Sequence, residues 1–147
     1  MSQIPDEQTI DAWARLVRAQ QLLLERVEKE LKQAGLPPLR WYDVLIELHR
    51  ALRGLRQFEI GEAVLLNKYN VSRLFDRLQR EELIVRYACE SDARGAQVQI
   101  TTEGSRLLKR MWHHYAKAIT EHFGRHLSSV EIGRLSALPC RFPGVCR

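Results

Sequence analysis

A chain of 147 residues and 17.1 kDa is long enough to bury a core and fold unaided, and short enough to need no second domain. With 45% hydrophobic and 28% charged residues it does not have the composition of a disordered chain. A formal charge of +5 and a pI of about 9.4 lean towards an anionic partner without identifying one.

The longest apolar runs, such as Leu22–Leu24 and Val64–Leu66, fall far below the ~20 residues needed to cross a bilayer, so no membrane span is expected. The opening MSQIPDEQTIDAW carries acids where a leader would need a basic start and an apolar stretch, and a cytoplasmic protein is expected. Three cysteines, Cys89, Cys140 and Cys146, are too few and too uneven for a secreted disulfide framework and read as free thiols.

From about residue 7 to 34, Ile10, Trp13, Val17, Leu24, Val27 and Leu31 recur at threes and fours, interrupted by Gln20. Leu22 and Leu23 add apolar surface on a neighbouring face, so the spacing predicts a long helix that packs on more than one partner. Gly35, with Pro37 and Pro38 behind it, ends that helix. A second helix over about 40–52 buries Val44, Leu45, Leu48 and Leu52, and the chain turns near Gly54. A short helix over 57–64 follows, then a break at Leu65 and Leu66, with Asn67 placed to cap the next helix.

That next helix, within NKYNVSRLFDRL, has two chemically different edges. Val71, Leu74, Phe75 and Leu78 take the i, i+3, i+4, i+7 positions of a core-facing stripe, whereas Asn70, Arg73, Arg77 and Arg80 form a polar, mostly cationic row. Two short helices joined by a tight turn, the second so divided, make a helix-turn-helix candidate. Against this, Asp76 stands four residues before Arg80, where a simple surface ion pair would form. Residues 68–94 hold six basic and five acidic side chains, so charge alone decides little.

After Glu82 the periodicity shortens towards two. Leu83, Ile84, Val85, Tyr87 and Cys89 are rich in strand formers, and Ala96, Val98 and Ile100 alternate with Gln97, Gln99 and Thr101 as in a half-buried strand. The polar ESDARG between them suits a hairpin loop. Thr101 or Thr102 can cap a long helix to about Phe123, with Leu108, Met111, Trp112, Tyr115, Ile119 and Phe123 on one side. A last helix over about 128–138 precedes the tail PCRFPGVCR.

This order of elements resembles the winged helix-turn-helix regulators of the MarR family (multiple antibiotic resistance regulators). NKYNVSRLFDRLQREELIVR is similar to that family's recognition helix and following strand. SDARGAQVQITTEG resembles its wing, with the Asp-x-Arg signature at Asp92 and Arg94 and the Leu-Thr-x-x-Gly ending at Ile100, Thr101 and Gly104. The resemblance covers roughly residues 7–138 and implies a mainly α (α+β) fold in one MarR-like domain. In it, a winged helix-turn-helix lobe over 36–102, with a two-stranded β-wing, lies between dimerisation helices over 7–34 and 103–138, with a tail over 139–147. One departure is Glu82, where the family usually has the Gly of a left-handed turn; Glu would be strained there, so a differently built helix end is expected.

A helix about 10 Å across fits the major groove. Lys68, Tyr69, Asn70 and Arg73, near the start of the helix, would then project towards base edges, with Lys68 and Ser72 able to contact bases or phosphate and Arg77 phosphate. In a wing, Arg94 would enter the flanking minor groove, and the resemblance implies that Asp92 orients it or braces the wing. Two copies on successive major grooves, about 34 Å apart, imply a homodimer on a palindromic double-stranded operator.

The expected function is therefore sequence-specific transcriptional regulation, as a repressor that the family resemblance implies is released by a small aromatic or phenolic effector. Trp13, Arg15, Trp41, Tyr42, His49 and Trp112 offer aromatic walls and cations for such a molecule, although core packing explains the Trp residues equally well. The alternatives are a winged-helix protein-interaction module, or a redox-responsive regulator of the same fold using Cys89, Cys140 or Cys146. No catalytic arrangement or nucleotide-binding Gly loop is present, so neither an enzyme nor a cofactor is expected. His113, His114, His122 and His126 invite a metal reading, with His122 and His126 at i, i+4, but no acidic ligand is placed near them by sequence and no metal is expected.

Overall fold

Helix α1 (Glu7–Gln33) begins where the Asp6 carboxylate accepts a hydrogen bond from the Thr9 N–H at 2.7 Å; the Thr9 hydroxyl first and this backbone bond second hold the Asp6 carboxyl below its ordinary range. It ends in a Schellman turn: Leu36 N–H donates to Leu31 C=O at 2.9 Å and Gly35 N–H to Lys32 C=O at 3.0 Å, with Gly35 left-handed at φ 72°. The computed structural model describes residues 3–51, 54–64, 68–87 and 97–146, apart from the side chains of Lys68 and Tyr69. Leu52, Leu65, Leu66, Asn67, Cys89 and the loop holding Asp92 and Arg94 therefore lie outside the described residues.

Further along come α2 (Leu39–Arg50), the short strand β1 (Leu55–Arg56), α3 (Gln57–Ala63), α4 (Lys68–Arg80), β2 (Ile84–Tyr87), β3 (Gln97–Ile100), α5 (Thr102–His122) and α6 (Ser129–Ala137). Short 3-10 turns occupy Gly124–His126 and Leu138–Arg141. The chain divides into two compact units, one of Leu31–His114 and one of Met1–Glu30 with Tyr115–Arg147.

Within Leu31–His114 the apolar stripes converge on one core. Leu45, Leu48, Ile60, Phe75, Leu78, Ile84, Val98 and Met111 are all buried there. An antiparallel sheet of order β1-β3-β2 supports it, with Leu55 opposite Val98 and Ile84 opposite Ile100. The expected hairpin strands are present, and β1 adds a third that two residues of sequence do not announce. Because β3 is the central strand, its Gln97 and Gln99 are half-buried rather than facing open solvent.

The other unit reads differently from its pattern. Of the expected α1 stripe only Val27 and, beyond this unit, Leu31 are buried, while Ile10, Leu24 and Trp13 are exposed, Trp13 by 69%. No residue of α6 is buried, and Val130, Leu138, Phe142 and Val145 are exposed as well. A helical stripe specifies which side is apolar but not what covers it, and a single chain leaves these side chains bare.

Two further expectations are corrected. Cys140 and Cys146 are not free thiols but a disulfide, because the turn from Leu138 brings their Cα atoms to 5.1 Å, within bonding range. His122 and His126 do not share a helix face, since α5 stops at His122 and His126 sits in the following 3-10 turn, with Nε2 against the Glu121 carbonyl at 3.2 Å.

Candidate nucleic-acid interface and neighbouring cleft

The buried edge of α4 is the one the spacing specifies: Val71, Leu74, Phe75 and Leu78 are all 7% exposed or less. Asn70, Ser72, Arg73, Arg77 and Arg80 lie on the exposed remainder of the helix. A short helix thus anchored along one side presents its opposite edge as a rigid row of amide, hydroxyl and guanidinium donors. The backbone of Lys68 and Tyr69 forms its first turn, which places both residues at the end where a groove-seated helix meets bases. Asp92 and Arg94 lie outside the described residues.

The C-terminal end of α4 corrects the expectation for Glu82. Glu82 itself takes the left-handed conformation at φ 60°, the only non-glycine with positive φ among the described residues. Leu83 N–H donates to Leu78 C=O and Glu82 N–H to Gln79 C=O, both at 3.0 Å, the same turn that closes α1 with glycine. The strained residue is held from outside. Thr101 Oγ1 donates to the Glu82 carbonyl at 2.7 Å and accepts from the Gly104 N–H at 3.0 Å, capping α5 while it pins the end of α4. Gly104 is required for this approach: a Cβ there would lie 2.2 Å from the Leu83 carbonyl oxygen.

Side-chain pairing sorts the cations of this region. Arg86, on β2, bonds Asp76 Oδ1 at 2.6 Å and also Gln79, so the carboxylate expected to pair with Arg80 is taken by a strand residue instead. Among the described residues Arg80 donates to the Asp76 carbonyl, at 3.5 Å. Arg77 donates to Glu81 at 3.3 Å and lies 5.9 Å from the ring centre of Trp41, a cation–π distance.

Trp41 and Glu81 also border a cleft of about 1020 Å³ contained within Leu31–His114. Leu36, Pro37, Leu83 and Leu107 give it apolar wall, Glu82 and Glu103 acid, and Lys109, Arg110, His113 and His114 cationic or titratable groups. Of the effector residues proposed from sequence, only Trp41 lines this cleft. Tyr42 stacks on Trp112 with ring centres 6.2 Å apart, and burial raises the Tyr42 phenol above its ordinary range. His49 is exposed at the end of α2, and Trp13 and Arg15 belong to the other unit, Arg15 lying 3.9 Å from Asp11. Lys109 and Arg110, missed as cleft residues, share an edge of α5 with His113 and His114 at i, i+4, the signal that could have found them.

The MarR family model matches residues 34–95. The HTH-type transcriptional regulator MhqR of Bacillus subtilis is 28% identical over 115 residues, 78% of this chain and 78% of MhqR. Two solved structures share the fold. Sco3205, a MarR family transcriptional regulator from Streptomyces coelicolor crystallised in complex with DNA, superposes with a TM-score of 0.86 at 21% identity, covering 96% of this chain and 89% of that one. CouR from Rhodococcus jostii, crystallised bound to p-coumaroyl-CoA, superposes with a TM-score of 0.77 at 23% identity over 97% of this chain and 100% of that one.

Proposed function

Because the chain is a transcriptional regulator of the MarR family, we propose that it binds a palindromic double-stranded operator as a homodimer and represses until a small aromatic or phenolic molecule releases it. The observation that carries this reading is the division of α4, whose apolar edge is sealed in the core while Asn70, Ser72 and Arg73 remain on the surface. In the major groove Arg73 pairs with guanine and Asn70 with adenine, Lys68, Tyr69 and Ser72 contact bases or phosphate at the leading turn, and Arg77 holds phosphate. Arg94 reads the minor groove with Asp92 orienting it. Sco3205, of the same fold, was crystallised with DNA, which supports the assignment. Homodimerisation is supported by the bare apolar side chains of α1 and α6, including Trp13, Leu16, Val130 and Leu135, a quantity of exposed hydrocarbon that a second copy would cover.

The effector seats in the cleft beside Trp41. An aromatic acid there stacks on the indole, draws on Lys109 or Arg110 for its charge, and competes for Arg77, which Trp41 and Glu81 hold. Withdrawing Arg77 from phosphate weakens the complex. That CouR was crystallised with p-coumaroyl-CoA supports an aromatic acyl chemistry.

Selection of bound duplexes from a random pool, then titration of the winner against random duplex at several salt concentrations, tests the reading. One palindromic sequence held far more tightly than random duplex, with affinity falling steeply as salt rises, is the expected result. Equal affinity for all sequences would instead favour a winged-helix module that binds an acidic protein partner.

A further inference from the structure

Helix α1 and the end of α5 bring together three side chains that the proposed DNA binding does not use. His122 Nε2 lies 2.6 Å from Glu30 Oε1, joining residues 92 apart in the chain. Glu121 stands beside them, and one donor atom from each of Glu30, Glu121 and His122 lies within 4.8 Å of the other two. All three are half-buried and belong to the same unit. Among the described residues the Glu121 carboxylate has no ion-pair or hydrogen-bond partner, so the cluster carries two carboxylates against one imidazole.

We propose that Glu30, Glu121 and His122 form a binding site for a divalent transition-metal ion of the zinc class. Two carboxylate oxygens and one imidazole nitrogen are a three-ligand set that leaves a fourth position to water. The imidazole selects against magnesium and calcium, which prefer sites made of oxygen alone. Ligands at zinc distances stand about 3.3 Å apart around a tetrahedral ion. The His122–Glu30 pair, at 2.6 Å, needs to open by less than about 1 Å to admit one, and the ion then takes the place of the hydrogen they share. Such an ion ties residue 30 of α1 to the last turn of α5. Glu121 adjoins His122 in the sequence, but Glu30 is supplied from the other end of the chain, so no local spacing announces the cluster.

The test is titration of the full, tag-free chain with zinc against a competing chromogenic chelator. One ion per chain is expected, with magnesium in large excess failing to compete. Glu30→Gln, Glu121→Gln and His122→Gln should each weaken binding by more than about tenfold, whereas the double variant His113→Gln/His114→Gln leaves it unchanged. Glu121→Gln breaks no described contact and so tests the ligand set even if His122→Gln fails to fold. Absence of stoichiometric zinc binding, or binding that survives Glu121→Gln and Glu30→Gln, overturns the proposal.

Discussion

Replacing Glu82 with glycine should stabilise this protein, although glycine ordinarily loosens a chain. The left-handed conformation costs a side-chain-bearing residue about 1–2 kcal/mol, and Glu82 adopts it at φ 60°. Glycine removes that cost but enlarges the freedom of the unfolded chain, which returns about 0.4–1 kcal/mol. The balance is a gain of about 0.5–1 kcal/mol, or about 1–4 °C in Tm for a chain of this size. Gly35 supplies the mirror experiment: it closes the same turn at φ 72°, and nothing lies within 4 Å of a Cβ built on it. Gly35→Ala should therefore lose a similar amount for purely conformational reasons. Urea unfolding at one fixed protein concentration, with an unchanged m-value, measures both. If Glu82→Gly is no more stable than Glu82→Ala, or less stable than the parent, the strain argument fails.

Gly104→Ala forces a methyl to within 2.2 Å of the Leu83 carbonyl and 2.7 Å of Ile100 Cγ1, and should destabilise by about 1–3 kcal/mol in the same urea assay. Arg73→Ala should cost about 1–3 kcal/mol of operator affinity and relax selectivity at one base position, whereas Arg94→Ala should weaken binding with less effect on major-groove preference. Equal, sequence-independent losses from both would contradict the roles assigned to them. Glu131 is held below the ordinary carboxylate range, first by the Ser128 backbone N–H at 2.9 Å and then by the Ser128 hydroxyl. Its folded value lies below its unfolded one, so the stability it contributes is present above the ordinary range and disappears as pH falls through the lowered value. Ser128→Ala should raise the Glu131 pKa part of the way back, as read by carboxyl NMR titration; an unmoved titration would refute that cause.

Some of this protein was legible residue by residue. The spacing of Val71, Leu74, Phe75 and Leu78 specified the buried edge of α4, because a helix repeats its faces within a few residues and needs no distant partner to define them. The same local logic located the end of α1 at Gly35 and the strand at Val98, and narrowed the α5 cap to Thr101 or Thr102, of which the structure uses Thr101. It also carried the family resemblance, since the helix and wing motifs are short and contiguous.

What required the tertiary structure depended on groups far apart in sequence. Glu82 keeps its left-handed turn because Thr101, 19 residues later, donates to its carbonyl while accepting from the first turn of α5, and no local rule forecasts that bond. Asp76 pairs with Arg86 rather than Arg80 because β2 returns alongside α4 and offers a guanidinium at shorter range. The apolar stripe of α1 is buried at Val27 and Leu31 but bare at Ile10 and Trp13, a distinction that periodicity cannot make since both ends repeat alike. Glu30 reaches His122 only through the fold. Periodicity records which side of an element avoids water; which partner meets that side is decided by chain closure, and that is a property of the whole molecule.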